Sequence, residues 1–243
     1  MAAGAVSIIG VPTDVGAGKA GARMGPDALR VAGIDRAIAR FGVEVVDRGN
    51  LSGPNNPELS AIDGFRHLPE VVAWNHSVHD AVRAELASEH LPIVLGGDHC
   101  LAIGSISAVA RHCRESGRRL QVLWLDAHAD FNTAILTPTG NLHGMPVACL
   151  CGHGPPLLTG IGGTVPAMLP SEIRQIGVRS VDQGEKSFLA EIGIEVFDMR
   201  YVDEVGMRAT MEQALAGVGP ETHLHLSLDA DFLDPEIAPG VST

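Results

Sequence analysis

Leu-Gln-Val-Leu-Trp-Leu-Asp-Ala-His-Ala-Asp, residues 120–130, is an apolar run that ends abruptly in polar side chains. The run is apolar on both faces, which is typical of a strand covered by helices on both sides. Because strand side chains alternate, the spacing predicts that Asp126, His128 and Asp130 emerge on one face. Carboxylates and imidazoles bind metal ions, so these residues form a first candidate metal-binding cluster.

Six further short apolar runs, rich in β-branched residues, also predict strands. They are Val6–Val11, Val43–Asp47, Pro92–Leu95, Ile173–Val178, Ile194–Phe197 and Leu224–Leu228. Helical spacing between them is clearest around Trp74 and Val78, and Pro26 begins a second helical pattern that runs through Ile38. This alternation predicts one α/β domain over residues 1–243, with a mostly parallel sheet between two layers of helices.

Two other predicted strands end in the same way as the first. Gly96-Gly97-Asp98-His99 follows one of them, and Asp229-Ala230-Asp231 follows the other. Ligands of open α/β sheets bind beyond the carboxyl ends of the strands, so we expect His99, Asp229 and Asp231 to join the first cluster. A single Asp-x-His or Asp-x-Asp is more often a turn or a helix cap, but three such clusters favour a metal centre.

The negative charge of these clusters requires compensation. Each close carboxylate pair costs about 4 kcal/mol at an effective dielectric constant of about 20. Two divalent cations balance four carboxylates, and Asp126 and Asp229 are the candidates to bridge them. Since no cysteine lies in the clusters, an ion such as Mn²⁺ is favoured over zinc bound by thiolates. A pair of such ions acidifies water for nucleophilic attack.

The clusters resemble the signature motifs of the ureohydrolase superfamily, which includes the arginases and agmatinases. The matching segments are Gly96–His99, Asp126–Asp130 and Ser227–Pro235, together with Gly21–Pro26 near the N-terminus. The resemblance implies an arginase- and deacetylase-like three-layer fold and a hydrolase that uses two manganese ions per subunit to release urea from a guanidinium group. It also implies that one ion is held by His99, Asp126, Asp130 and Asp229, and the other by His128, Asp126, Asp229 and Asp231.

A more local match favours L-arginine as the substrate, with L-ornithine and urea as products. Asn132 and Thr139 match the arginase loop that binds the substrate α-carboxylate, which agmatine lacks, and Asp182 matches the position that meets the α-amino group. The resemblance makes His143 a proton shuttle to the leaving amine and gives Asp130 a catalytic role beside its role as a ligand. Asp182 also begins a capping-box pattern for the next helix.

Arginases continue well beyond the point where this chain ends. Thr243 falls on a family position just past the last metal motif, and we assign it to substrate binding by resemblance. The resemblance further implies a glutamate that faces the guanidinium group and a final strand beside the strand that ends at Asp229. We therefore expect the domain to be incomplete at its C-terminus, although all six metal ligands are present.

The composition excludes several classes of partner. The chain has 17 Lys and Arg against 29 Asp and Glu, a net charge of −12, which disfavours nucleic acid and anionic membrane surfaces. No apolar run reaches membrane-spanning length, and the N-terminus lacks the basic region of a signal peptide. Four cysteines without a paired spacing suit a reducing cytoplasm. By family analogy alone, we expect a homo-oligomer, a trimer or a hexamer.

Three alternatives to an arginase stay open. A sister ureohydrolase would act on agmatine or another guanidino acid. A deacetylase-like enzyme shares the sheet but binds a single zinc ion and has no use for His99 and Asp130 as ligands. A non-catalytic metal-binding or assembly subunit would hold metal without turnover.

Overall fold

The computed structural model describes residues 4–240 of the chain. This part contains the strands β1 (Val6–Val11), β2 (Val45–Asn50), β3 (Leu91–Gly96), β4 (Arg119–Leu125), β5 (Ile173–Val178), β6 (Glu195–Asp198) and β7 (Thr222–Leu228). Its helices are α1 (Gly25–Val31), α2 (Ile34–Ala39), α3 (Leu68–Ala87), α4 (Ala102–Ser116), α5 (Pro146–Leu150), α6 (Pro156–Thr159), α7 (Gln183–Ile192), α8 (Met199–Val205) and α9 (Met207–Ala214). All seven predicted strands are confirmed, and β1 and β5 have the predicted bounds.

The strands form two sheets, ordered β2-β1-β3 and β6-β5-β4-β7. All their pairings are parallel, as the alternation of strands and helices requires. Helices flank the sheets, which confirms the predicted three-layer α/β class. The sequence predicted one sheet, whereas β3 and β7 lie at the ends of separate sheets and share no backbone ladder within residues 4–240.

Both faces of β4 are buried, so packing on either side fixes the position of its carboxyl end. Val122 and Trp124 belong to the main hydrophobic core, and Leu123 belongs to a smaller core on the opposite face. The pair α3 and α4 packs against the main core. The buried residues of α3 include Trp74 and Val78 at helical spacing, as predicted.

The helix predicted from Pro26 through Ile38 is wrong in one respect. The structure divides this segment into α1 and α2. Gly33, between them, has a left-handed φ of 84°, which interrupts an α-helix and which glycine adopts without steric cost. The apolar spacing continues across the break, so periodicity alone did not reveal it.

β7 has a polar inner face and an apolar outer face. His223 lies edge-on against His112 of α4, with 6.0 Å between the ring centroids, and His225 lies on the same face of the strand. The opposite face carries three leucines that are 43%, 56% and 57% exposed, namely Leu224, Leu226 and Leu228. His223 and His225 therefore pack within the fold, at a distance from the strand tip.

The histidines on the inner face of β7 are held neutral. Burial lowers the pKa of His225 to about 4, and the neighbouring His223 adds to this effect. Burial also lowers the pKa of His223, with further contributions from Arg118 and His112. Protonation of either imidazole therefore opposes the folded state.

We expect acid to destabilise the fold through His225. The unfolded chain takes up this proton near pH 6.5, whereas the folded protein takes it up only near pH 4. The free energy of unfolding therefore falls as the pH drops between these values. When the pH is lowered from about 7 to about 5, the Tm of His225→Gln should fall by about 2–4 °C less than the Tm of wild type does. Both proteins share every other titrating group, so an equal loss of Tm in the two would contradict the prediction.

Candidate metal centre

Three turns meet at the carboxyl ends of β3, β4 and β7. Parallel strands place these ends at the same edge, so side chains distant in sequence come together. The structure forms two groups of potential metal ligands, and within each group the ligand atoms lie within 4.8 Å of one another. The first group is His99, Asp126 and Asp130; the second is Asp126, His128 and Asp231.

Asp126 belongs to both groups and is almost completely buried, with 1% of its surface exposed. Its Oδ1 accepts a hydrogen bond from the His128 backbone N–H at 2.7 Å, and its Oδ2 accepts one from Trp124 Nε1 at 3.0 Å. Two donors thus fix the carboxylate while its remaining lone pairs face the other ligands.

His99 supplies the clearest indication that a cation belongs here. Its Nδ1 lies 3.0 Å from Asp126 Oδ2, 3.2 Å from Asp130 Oδ2 and 3.1 Å from Asp229 Oδ2. Despite these distances, Nδ1 is buried without a hydrogen-bond partner among residues 4–240. An imidazole nitrogen and three carboxylate oxygens directed at one another fit a divalent cation between them.

The His99 ring is held in an orientation suited to a ligand. It stacks on Trp124 with 4.2 Å between the ring centroids and 13° between the planes. Its Nε2 lies 2.8 Å from Ser227 Oγ on β7. When Nε2 carries the proton and donates to Ser227, Nδ1 presents a lone pair to the carboxylates.

Protons balance the carboxylates while no ion is bound. Burial alone would lower the pKa of His99, but Asp126, Asp130 and Asp229 raise it well above its usual value. Asp126 and Asp231 raise the pKa of His128 to about 10. Burial, together with the charge of Asp126, raises the pKa of Asp130 to about 8. A metal ion must displace these protons, so its binding is expected to be pH-dependent.

The sequence spacing predicts that strand alternation continues from Asp126 through Asp130. In the structure, turns after the strands bring the ligands together instead. β4 ends at Leu125 and β7 ends at Leu228, so the aspartates lie beyond both strands. Asp130 has a left-handed φ of 50°, and its carbonyl accepts a hydrogen bond from Val147 of α5 at 3.0 Å. This conformation costs a non-glycine residue free energy, which the surrounding contacts offset.

Two of the predicted substrate residues, Asn132 and Asp182, contact each other. Asn132 follows Asp130 by two residues, and its Nδ2 donates to Asp182 Oδ2 at 3.4 Å, while its Oδ1 is buried without a partner in the described chain. Thr139 is exposed, and its Oγ1 accepts from the Asn141 N–H at 3.2 Å. Thr243 lies outside the described residues.

His143 is half-buried, and its backbone N–H donates to the Gly16 carbonyl at 3.1 Å. Burial lowers the pKa of its imidazole, although the charge of Asp98 opposes the shift. The charges of His128 and Asp229 also act on it, which places it in the electrostatic surroundings of the metal-ligand groups. The imidazole is therefore neutral near pH 7.

Sequence reasoning missed two residues that hold the predicted substrate loop. Glu185 of α7 accepts a hydrogen bond from the Phe131 N–H at 2.7 Å, in addition to the predicted capping box with Asp182. The Arg66 N–H donates to the Gly140 carbonyl at 2.7 Å, and Arg66 Nε donates to Asn141 Oδ1 at 2.9 Å. No spacing in the sequence links these partners, because they meet only through the tertiary fold.

Comparison with known proteins gives a consistent picture. A sequence profile described as the arginase family matches residues 4–243. The arginase of Brevibacillus brevis is 41% identical over 239 residues, which cover 98% of this chain and 79% of that protein. The solved arginase of Bacillus caldovelox has a TM-score of 0.90 at 42% identity, covering 97% of this chain and 78% of that one.

A solved hypothetical agmatinase from Burkholderia thailandensis is also similar, but less so. Its TM-score is 0.71 at 26% identity, covering 98% of this chain and 68% of that one. The fold is thus shared with this hypothetical agmatinase, while the sequence identity is higher for both arginases and the TM-score is higher for the solved one.

We expect Asp126→Asn to abolish binding of metal at both groups. The change keeps the size of the side chain but removes the negative charge and the anionic ligand that the two groups share. Elemental analysis after loading with excess Mn²⁺ and gel filtration measures the result. Asp203→Asn, at an exposed position on α8, is the matched control and should keep the metal content of wild type. Metal retained by Asp126→Asn would contradict the shared role of this carboxylate.

Proposed function

Since the chain belongs to the arginase family, we propose that it is a hydrolase of the guanidino group that converts L-arginine and water to L-ornithine and urea. The observation that carries the metal-dependent chemistry is the unpartnered Nδ1 of His99, directed at three carboxylates. The higher similarity to arginases than to an agmatinase supports L-arginine as the substrate.

Two Mn²⁺ ions fit the nitrogen and oxygen donors of the centre. One would be held by His99, Asp126, Asp130 and Asp229, and the other by His128, Asp126, Asp229 and Asp231. When bound, such a pair supplies Lewis-acid activation of water for attack on the guanidinium carbon. The task of this chain is to hold six ligands in a buried, strongly acidic setting that also attracts the cationic substrate.

The predicted substrate residues would bind the α-carboxylate and the α-ammonium group of arginine. Asn132 Nδ2 and the Thr139 hydroxyl both offer hydrogen-bond donors, which suits the α-carboxylate; Thr139 Oγ1 accepts from Asn141, so its own proton is free to donate. The carboxylate of Asp182, next to Asn132, suits the α-ammonium group. These contacts would fix the distance between the α-carbon and the metal centre, and so present the guanidinium group to it.

His143 would move the proton that the reaction requires. Cleavage breaks the bond between the guanidinium carbon and the chain nitrogen, and the leaving amine must gain a proton. Because burial holds His143 neutral near pH 7, its imidazole is able to take up a proton from the attacking water and pass it to the amine. The Gly16 carbonyl fixes its backbone by accepting a hydrogen bond from the His143 N–H.

Further properties belong to the same proposal. All four cysteines are free and buried in the described structure, which suits a reducing cytoplasm. No helix within residues 4–240 is long and apolar enough to cross a membrane. By family analogy we also propose a homo-oligomer, trimeric or hexameric, which light scattering on the purified protein tests.

Urea release from L-arginine, agmatine and 4-guanidinobutyrate tests the proposed substrate. L-arginine should give the highest kcat/KM, because only it carries both groups that Asn132, Thr139 and Asp182 are placed to bind. Asp126→Asn serves as the inactive control. A preference for agmatine would refute the role assigned to the α-carboxylate, and metal binding without urea release from any substrate would favour a non-catalytic protein.

His143→Ala should lower kcat by about a hundredfold or more and leave the metal content unchanged, because a general acid contributes on this scale. Single-turnover urea release and elemental analysis measure the two properties separately. His76→Ala, at an exposed position on α3, is the matched control and should behave as wild type. A His143→Ala enzyme of undiminished rate would exclude the shuttle.

A further inference from the structure

The two turns that carry the aspartates are anchored to different extents. The turn after β4 is fixed from within the core, since Asp126 accepts from two donors and the Asp130 carbonyl accepts from Val147. The turn after β7 follows a strand at the end of its sheet whose outer face is exposed. Its first residue, Asp229, continues the ladder because its N–H donates to the Leu125 carbonyl at 2.9 Å. Residues beyond Asp229 require another anchor.

Arg179, directly after β5, supplies that anchor. Its guanidinium group donates to the carbonyls of Asp231, Phe232 and Leu233 and to that of Gly177. Its backbone N–H donates to the Ala127 carbonyl at 2.8 Å. One residue therefore binds the backbone of both aspartate turns, and the planar guanidinium group suits the several acceptors.

The turn after β7 is also fixed on its other side. The Phe232 ring lies against Gly177, where an added Cβ would approach Phe232 Cε2 to 2.6 Å. The Ala127 N–H donates to Asp231 Oδ1 at 3.1 Å, and Asp231 Oδ2 lies 3.0 Å from His128 Nδ1. The direction of Asp231 toward His128 thus depends on a turn whose carbonyls Arg179 holds.

We propose that Arg179 is a positioning residue for the second metal site, the one formed by His128 and Asp231. It acts by holding the backbone on either side of Asp231, so that Oδ2 keeps its direction toward His128. The first site depends less on Arg179, because the ladder anchors the backbone of Asp229 and the core anchors Asp126 and Asp130; its one link to the turn that Arg179 holds is the hydrogen bond from the Asp231 N–H to Asp229 Oδ1 at 3.1 Å. This inference rests on the proposed function, since it supposes that the centre binds two ions.

To test this, wild type, Arg179→Gln and Arg179→Lys are each titrated with Mn²⁺ alone. Calorimetry measures the affinity for each ion, and electron paramagnetic resonance distinguishes coupled from isolated Mn²⁺. Arg179→Gln should bind the first ion nearly as tightly as wild type does and the second about tenfold to a hundredfold more weakly, as expected for a residue that orients a ligand. Arg179→Lys keeps the positive charge but has fewer hydrogen-bond donors, so its affinity for the second ion should lie between those of wild type and Arg179→Gln.

Arg174 offers a matched control on β5, the strand that Arg179 directly follows. It also donates from its guanidinium group to backbone carbonyls, those of Ala214 and Ala216, and it pairs with Glu195, away from the metal centre. Arg174→Gln should lower Tm but keep both Mn²⁺ affinities. This control separates the effect of a less stable fold on Mn²⁺ binding from the effect of a displaced Asp231 side chain.

Each outcome bears on the inference in a defined way. Loss of the second ion alone in Arg179→Gln, with its resonance changed from coupled to isolated Mn²⁺, supports it. Unchanged affinity for both ions, equal weakening of both, or the same change in Arg174→Gln overturns it. Failure of wild type to bind two ions would instead refute the proposed metal pair, so the two failures are distinguishable. If Arg179→Gln does not fold, Arg179→Lys decides by the same criteria.

Discussion

The concentration of negative charge at the ends of β3, β4 and β7 is the constraint on which the rest of the site depends. Four carboxylates meet two imidazoles there, and His99 Nδ1 alone lies within 3.2 Å of three carboxylate oxygens. These carboxylates raise the pKa of both His99 and His128, so the histidines hold protons where no metal ion balances the charge. The fold is therefore built to maintain a charge arrangement that is unfavourable unless a cation, proton or metal, lies within it.

Most of the fold was predictable because it is encoded locally. β1 and β5 are short apolar runs bounded by polar or glycine-rich segments, so periodicity located both at the correct residues. The break at Gly33 was missed because a single left-handed residue leaves the apolar spacing intact. The division into two sheets was missed because no local pattern specifies which strands share a ladder.

The candidate site was predictable in its membership but not in its geometry. Polar residues at strand ends indicated which side chains meet, since parallel strands bring those ends to one edge. The continued strand alternation assumed for Asp126, His128 and Asp130 was wrong, because Asp130 turns back with a left-handed φ of 50°. The contact of Arg179 with Asp231 and that of Glu185 with Phe131 carried no sequence signal, since each joins residues about fifty positions apart in the chain.

The exposed leucines of β7 have a consequence for how this chain behaves in concentrated solution. Leu224, Leu226 and Leu228 form an apolar row on a strand that lies at the end of its sheet, next to backbone groups without a neighbouring strand in the described structure. Such an edge accepts a further strand, and the family resemblance puts the final strand of the sheet there, where the leucines would add apolar contact to the backbone pairing. A protein in which that strand pairs with β7 should therefore keep the leucines covered, whereas an edge left open would pair with other molecules and promote aggregation.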